Sequence, residues 1–310
     1  MIEETGFGSK KESSVPKPKN RLIEYLKIMI KDKTAVIGLV IVVGFLGWSV
    51  IQGILELLFG TSGPAVALLP HNPFNYNLVV GLHGPDLTYL LGTNANGEDI
   101  LSRMLYAMPR DAFISLGVVL SAVIFGGILG IVAGYRGKYT DEIIMRFTDA
   151  FLSLPALILV LALSVLFNET LSGVILALII VWWPIYARFF RAQTLKIKNM
   201  DYVQASKLNN VSFLKFFLSY LFVNSIDPVI AYAALDFGNV ILTYSTLAFL
   251  GIGLEPPIPE LGSMAANGVG TLPTGWWYAV FPGLAILIIV IGFVLVGDRM
   301  QDIISNRINY

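Results

Sequence analysis

The sequence predicts an all-α integral membrane protein, and three observations carry that prediction. Hydrophobic residues make up 55 % of the 310 residues and charged residues only 14 %, whereas soluble domains carry roughly 25 % charged residues. The mean hydropathy is +0.72, and the apolar residues are gathered into six stretches. A membrane β-barrel would instead show alternating segments of about ten residues. A fully soluble enzyme is therefore excluded.

The six apolar stretches are long enough, or nearly so, to cross a hydrocarbon core of about 30 Å as helices. Asp236, in the fifth stretch, is the one charged residue within them. The third and fourth stretches are short and joined by Asn168, Glu169 and Thr170, which predicts a tight helical hairpin. The predicted spans are 34–55, 112–134, 150–167, 171–187, 228–250 and 281–297.

Lys and Arg residues are concentrated on one side of the predicted membrane. Arg103 and Arg110 are the two exceptions, and we expect them to pair locally with nearby acidic residues such as Glu98 and Asp111. Because basic loops are retained in the cytoplasm, both termini are predicted to be cytoplasmic. The other 19 of the 21 basic residues comprise eight in 1–33, three in 135–149, six in 188–227 and two in 298–310.

The segments between the spans complete the predicted organisation. Residues 21–33 place Leu26 and Met29 on one side, as in a helix lying at the membrane surface. A second external segment at 251–280 contains Trp276 and Trp277, which we expect at the headgroup level. The predicted divisions are a cytoplasmic tail and interfacial helix at 1–33, a first transmembrane helix at 34–55, an external loop region at 56–111, a five-helix core at 112–297 with cytoplasmic loops at 135–149 and 188–227, and a cytoplasmic tail at 298–310.

The sequence carries no recognisable catalytic machinery. Gly137 and Lys138 lack the further Gly and the Ser or Thr that a nucleotide-binding phosphate loop needs. The chain has no Cys, and neither His71 nor His83 has an acidic partner at metal-ligand spacing, so no metal and no cofactor are predicted. With 21 basic and 21 acidic residues, nothing indicates a nucleic-acid partner. Energy for transport must come from a partner that hydrolyses nucleotide, unless the chain is a passive pore.

The fifth span carries one polar row along an otherwise apolar helix. Its members are Tyr232, Asp236, Asn239, Thr243 and Thr246, which fall within about ±40° of one direction at ~100° per residue. A carboxylate there costs at least ~2.5 kcal/mol on insertion scales, so it faces the bundle interior or water. We predict that the row lines a translocation path. The alternatives are that it binds a neighbouring helix or that Asp236 is simply protonated.

Small residues recur every fourth position in the second span, at Gly126, Gly130 and Gly134. Such patterns let helix backbones approach closely. We predict close packing within the subunit; a sliding surface against a partner protein is the alternative.

Four stretches within residues 88–305 form a recognisable pattern, defined by the order of the stretches and by the spacing of their residues. It resembles the second, C-type permease subunit of ABC importers of the dipeptide, oligopeptide and nickel family. The resemblance implies a type I importer bundle of six transmembrane helices in a prokaryotic plasma membrane. The stretches are Leu-Gly-Thr at 91–93 with Asp99 and Arg103, Gly-Tyr-Arg-Gly at 134–137 with Asp149, Phe-Leu-Gly-Ile-Gly at 249–253, and Phe-Pro-Gly at 281–283 with Gly297 and Asp298.

Residues 202–212 resemble the EAA loop of importer permeases, a short cytoplasmic helix that docks in a cleft on the ATPase. Small residues allow close approach in such a groove, and an apolar anchor fills it. Here Gln204 replaces the usual Glu, and Asn210, which can adopt left-handed geometry, replaces the turn Gly. The resemblance implies ATPase coupling by Tyr202, Val203, Gln204, Ala205, Ser206, Lys207 and Asn210, and a second coupling loop containing Arg136, Asp141 and Arg146.

The resemblance implies a non-catalytic permease subunit of an ATP-driven, binding-protein-dependent importer. It would carry peptides or related small solutes by alternating access. The implied partners are a homologous second permease subunit, two cytoplasmic ATPase subunits, an extracytoplasmic substrate-binding protein and the lipid bilayer. An importer of the same family carrying oligosaccharides or nickel is one alternative, and an ATPase-independent carrier or channel is another.

Overall fold

The computed structural model describes residues 21–201, 203, 217 and 221–308. These residues form helices and no strand, with one isolated bridge between Thr93 and Asp99. The prediction of an all-α protein is therefore confirmed. The helices are α1 (Arg21–Met29), α2 (Lys33–Phe59), α3 (Pro64–Ala67), α4 (Ile100–Arg136), α5 (Lys138–Leu152), α6 (Ala156–Leu166), α7 (Leu171–Ile197), α8 (Val223–Phe249), α9 (Leu261–Val269) and α10 (Leu272–Ile308).

Several of the described helices can cross a membrane. By length and composition, α2, α4, α7 and α10 qualify, and the bent pair α5–α6 adds a fifth if it is counted as one span. Helix α8 has 27 residues, about 40 Å at 1.5 Å per residue, but it is not among these candidates. The described residues thus contain four or five candidate spans, and the count of six remains a prediction.

The predicted third span, 150–167, is not a single helix. Helix α5 ends at Leu152, α6 begins at Ala156, and the two are bent by 90°. Pro155 lies at the N-cap of α6 with an extended ψ of 123°, and a proline disfavours helical geometry at the residue before it. Helix α5 therefore occupies most of what the sequence predicted as the 135–149 loop.

Helix α4 begins earlier than the predicted span at 112–134. The carboxylate of Asp99 caps its first turn by accepting a hydrogen bond from the Ser102 N–H at 2.9 Å. Such a cap satisfies a backbone donor that has no partner within the helix. Residues 100–111, predicted as part of the external loop region, are therefore the first three turns of α4.

Helices α4 and α7 lie in direct backbone contact at the centre of the molecule. A Cβ atom added at Gly126 would lie 2.5 Å from the carbonyl oxygen of Trp183, and one at Gly130 would collide with that of Ala187. Gly134 meets α7 one turn further along, at Thr194. The prediction of close packing within the subunit is confirmed. Around this pair, α8 packs on α10, and α2 packs on α4 and α10.

The α6–α7 connection is the predicted tight hairpin. Asn168 and Glu169 adopt positive φ angles of 62° and 55°, which reverse the chain between the two helices. Thr170 caps α7 by accepting a hydrogen bond from the Gly173 N–H at 3.1 Å. The carbonyl of Glu169 accepts a hydrogen bond from the Gly253 N–H at 2.9 Å, so the turn is also held to the chain that follows α8.

The bundle has two ends of different character. We define the basic end by residues 136–149 and 188–201, which contain seven Lys and Arg residues. We define the loop end by residues 60–99 and 250–271. Helices α4, α7 and α10 run from the loop end toward the basic end, and α8 runs back.

Candidate functional site

Two ion pairs fasten α5 to α7 at the basic end. The guanidinium of Arg191 donates two hydrogen bonds to the carboxylate of Asp141, and the Nη2–Oδ2 distance is 2.6 Å. Arg188 Nη2 lies 2.5 Å from Asp149 Oδ1. A two-point pair between Arg and a carboxylate fixes orientation as well as distance. Helix α5 is therefore held in a defined position against the end of α7.

The other residues of the predicted second coupling loop do not join this contact. Arg136 is exposed at the end of α4. Arg146 forms an ion pair with Glu142 within α5 at 2.8 Å, and its side chain is 78 % exposed. The structure thus brings Asp141 to α7 and leaves Arg136 and Arg146 on the surface of the basic end.

Only one residue of the predicted ATPase-coupling helix lies within the described residues. Val203 is fully buried in the main hydrophobic cluster, and its N–H donates to the Met200 carbonyl at 2.9 Å. It is thus packed against this subunit rather than exposed to a partner. The other predicted coupling residues, Tyr202, Gln204, Ala205, Ser206, Lys207 and Asn210, lie outside the described residues.

The first half of the polar row on α8 packs against α7. Asp236 is 3 % exposed, and the Tyr186 hydroxyl donates a hydrogen bond to its Oδ2 at 2.8 Å. The ring of Tyr232 lies 5.6 Å from that of Tyr186 and 4.7 Å from that of Phe189. This geometry matches the alternative interpretation, in which Asp236 binds a neighbouring helix.

The second half of the polar row reaches the surface of the chain. Asn239 is exposed, and Thr243 and Thr246 are half-buried. The two threonine hydroxyls donate to carbonyls of their own helix, at Asn239 (2.8 Å) and Leu242 (2.7 Å). The row therefore does not face a single environment. Tyr232 and Asp236 contact α7, and Asn239 is exposed but also hydrogen-bonds to the carboxylate of Asp236. Thr243 and Thr246 are partly open to whatever lies beside α8.

Of the two basic residues predicted to pair locally at the loop end, Arg103 does and Arg110 does not. Arg103 forms an ion pair with Glu98, one of the acidic residues expected for it. Arg110 pairs with Glu255 at 3.2 Å, across a large separation in sequence, instead of with its neighbour Asp111. Asp111 is buried, and neither of its carboxylate oxygens has a hydrogen-bond partner among the described residues. Sequence reasoning missed the Arg110–Glu255 pair because no local spacing reports it.

The two histidines have acidic neighbours that sequence spacing did not predict. His71 Nδ1 lies 3.5 Å from Asp99 Oδ2, and His83 Nδ1 lies 3.8 Å from Asp86 Oδ2. Hydrogen bonds from the backbone N–H groups of Tyr89 and Thr88 lower the pKa of Asp86. Each contact is a single pair, and the described residues contain no group of three metal-ligating side chains.

More than half of the chain matches one protein family. Residues 126–310 match the model of the binding-protein-dependent transport system inner membrane component. The match covers the basic end, the α6–α7 hairpin and the polar row. The chain belongs to this family. It is therefore a multi-pass membrane component of a transport system. Its apolar helices are membrane helices, as the composition predicted.

Individual relatives extend the similarity to nearly the whole chain. The probable D,D-dipeptide transport system permease protein DdpC of Escherichia coli is 37 % identical over 254 residues, 82 % of this chain and 85 % of the relative. The dipeptide transport system permease protein DppC of Haemophilus influenzae is 33 % identical over 297 residues, 94 % and 96 % of the two chains. DppC of Escherichia coli is 36 % identical over 301 residues, 95 % and 96 %. The resemblance to C-type permease subunits is confirmed.

Proposed function

We propose that this permease is one of two homologous membrane subunits of an ATP-driven importer of peptides or related small solutes. The observation that carries the proposal is membership of the binding-protein-dependent family, together with relatives named dipeptide permeases over up to 95 % of the chain. The sequence offers no phosphate loop, so two separate cytoplasmic ATPase subunits hydrolyse the ATP. An extracytoplasmic binding protein delivers the substrate, and the chain itself catalyses no covalent step.

In this proposal the chain crosses a prokaryotic plasma membrane six times. The bent pair α5–α6 contributes the third span and α8 the fifth. The basic end and both termini are cytoplasmic, because 19 of the 21 Lys and Arg residues then lie inside. The loop end faces the binding protein.

The ATPases act on the basic end at two places. One is the segment of residues 201–212, which follows closely on α7, and the other is α5. The Asp141–Arg191 and Asp149–Arg188 pairs connect α5 to α7, so a push on either place moves the same helix. Closure of the ATPases around ATP displaces this end as a rigid body and opens the bundle outward, and hydrolysis resets it.

The exposed members of the polar row contribute to the translocation path. Asn239, Thr243 and Thr246 lie on a face of α8 that the rest of the chain leaves partly open. With the second permease subunit beside it, this face lines a channel whose amides and hydroxyls suit a polar solute. Asp236, which accepts a hydrogen bond from Tyr186, positions α8 against α7 so that this face is turned toward the second permease subunit.

Purification from the native membrane in mild detergent tests the assembly. A homologous permease and two ATPases should accompany the chain in mass spectrometry. Recovery of the chain alone, stable and without an ATPase, would favour an ATPase-independent carrier or channel.

The substrate is tested with the same complex in proteoliposomes. Binding protein, ATP and labelled dipeptides should give uptake that unlabelled peptides compete away. If labelled oligosaccharides are taken up instead, the importer carries sugars. In that case the proposed assembly is correct and the proposed substrate class is wrong.

A further inference from the structure

A groove of about 560 Å³ opens where α2, α4 and the start of α7 meet. Most of its lining is apolar, and three of the lining side chains are strongly exposed. Leu57 is 85 % exposed, Ile54 50 % and Phe113 49 %. Contiguous apolar surface of this kind marks a site that lipid or another molecule covers.

Two charged residues lie together at one end of this groove. A Cβ atom added at Gly53 on α2 would collide with the ring of Phe113 on α4, so the two helices approach closely there. From this contact, Glu56 lies three residues forward along α2 and Arg110 three residues back along α4, and both line the groove. Because α2 runs toward the loop end and α4 runs away from it, both steps lead toward the loop end. They cover about 4.5 Å at 1.5 Å per residue.

The charged end of the groove coincides with the predicted membrane surface. The first predicted span, 34–55, stops just before Glu56, and the second, 112–134, starts just after Arg110. Charged side chains at the ends of spans lie at the headgroup level, and apolar ones lie in the hydrocarbon. The groove is therefore polar at the membrane surface and apolar one turn deeper, which is the profile of a phospholipid.

The surrounding helices favour lipid over a second protein as the occupant. Helix α2 packs on α4 and α10, and it is the least buried of the four single helices that qualify as spans. The polar row that faces the second permease subunit lies on α8. This step rests on the proposed function, which places that subunit beside α8, and it leaves the outer face of α2 to the bilayer.

The charges at the groove indicate which headgroup fits. Arg110 Nη2 donates to Glu255 at 3.2 Å, and a guanidinium has five N–H donors, so it can also donate to a phosphate oxygen. On the other side, Gln52 Nε2 donates to Glu56 Oε1 at 3.1 Å, and a carboxylate accepts further hydrogen bonds. One cation thus stands between two carboxylates. An anionic headgroup would meet a surplus of negative charge, whereas a headgroup with both a phosphate and an ammonium matches both signs.

We propose that this groove is a binding site for phosphatidylethanolamine. The phosphate accepts a hydrogen bond from Arg110, and the ammonium group donates to Glu56. An acyl chain lies against Ile54, Leu57 and Phe113. Phosphatidylglycerol has the same phosphate but no ammonium, so it binds more weakly. The bound lipid joins α2 to α4 at the membrane surface.

Lipid titration tests the site on the permease purified with the subunits that accompany it and then stripped of lipid. Dioleoyl phosphatidylethanolamine should raise the unfolding temperature at lower concentration than dioleoyl phosphatidylglycerol, and native mass spectrometry should find it on this chain. Arg110→Gln should weaken this binding about tenfold, the effect of losing a hydrogen bond from a charged donor. Glu255→Gln is the matched control. It breaks the same Arg110–Glu255 pair but leaves the groove intact, so the lipid should still bind.

Three results would overturn the proposal. Phosphatidylglycerol binds as tightly as phosphatidylethanolamine, Arg110→Gln binds phosphatidylethanolamine as tightly as the wild type, or Leu57→Cys is cross-linked to a second membrane protein in native membranes. The last result would assign the groove to a protein contact. The wild-type titration needs no substitution, so it decides the matter even if a variant fails to fold. Lipid binding is read without transport, so its failure is distinct from a failure of the importer assignment.

Discussion

Arg191 on α7 holds Asp141 on α5 through two hydrogen bonds to one carboxylate. The side chain of Asp141 is 17 % exposed and that of Arg191 33 %, so the pair is partly shielded from water and salt. It bridges the part of the basic end that we assign to ATPase contact and the helix that enters the bundle. The strength of this ion pair therefore determines how well a displacement of α5 is transmitted to α7.

Asp141→Asn should uncouple α5 from α7. The substitution keeps the shape but removes the charge, and the loss of an exposed or partly exposed ion pair is worth up to about 1 kcal/mol. We expect peptide uptake to fall about fivefold, the factor for roughly 1 kcal/mol, with the complex still assembled. Uptake in proteoliposomes and ATP hydrolysis should be measured together.

Glu142→Gln is the matched control for that experiment. It breaks the pair that Glu142 makes with Arg146 within α5 and leaves both ion pairs between α5 and α7 intact, so uptake should fall less than in Asp141→Asn. Equal losses in both variants would mean that any charge change on α5 impairs the importer, and the role given to the Asp141–Arg191 pair would be wrong.

The two halves of the polar row should respond differently to substitution. Thr243→Val removes a hydroxyl from the open half of the row and leaves Asn239, a hydrogen-bond partner of Asp236, in place, so uptake should fall while the subunits still assemble. Tyr186→Phe removes a hydroxyl donor from the buried Asp236, which should lower stability by about 1–3 kcal/mol. Uptake and thermal unfolding of the purified complex distinguish these outcomes. If Thr243→Val abolishes assembly and leaves transport by the remaining complex normal, α8 contacts a partner there and lines no path.

Gly130→Ala should destabilise the centre of the bundle. The added methyl group would collide with the Ala187 carbonyl, and such overpacking costs about 1–3 kcal/mol. Gly117→Ala, on the same helix with nothing within 4 Å of its Cβ, is the control and should be neutral or stabilising. Unfolding temperatures in detergent give the comparison, and identical values for the two variants would contradict the backbone contact.

The orientation can be measured because the chain has no Cys of its own. Ser62→Cys at the loop end should react with a membrane-impermeant thiol reagent in intact cells. Tyr139→Cys at the basic end, where the native side chain is 81 % exposed, should react only in inverted membrane vesicles. The opposite pattern would reverse the proposed topology.

Hydropathy was sufficient to predict the apolar spans of the longest helices. Residues 34–55 and 281–297 lie inside α2 and α10, because a run of apolar residues without charge has few other ways to satisfy its backbone in lipid. Hydropathy does not report where the chain bends, however. It joined the end of α5 to α6 as one span, although Pro155 makes the chain bend by 90° there. Pro155 was visible in the sequence, but many membrane helices continue through a proline, as α7 does at Pro184.

The candidate sites were predictable only in part, for a related reason. The polar row follows from helical spacing, which is a local property. The partners of Asp141 and Asp236, Arg191 and Tyr186, do not follow from it, because both are supplied by α7, which is distant in sequence from Asp141 and from Asp236. Arg110 illustrates the difficulty, since its neighbour Asp111 points into the interior and Glu255 becomes its partner.

The contact between α4 and α7 has a mechanical consequence. Between most helices, side chains form a layer that can slide or rearrange when the helices move. Here the carbonyl oxygens of Trp183 and Ala187 lie against the bare backbone of Gly126 and Gly130, so no such layer separates the helices at these two positions. The two helices therefore move as one rigid unit, about 40 Å long over the 27 residues of α7. A tilt imposed on the basic end of this pair should therefore reach the loop end with little loss to sliding between the two helices.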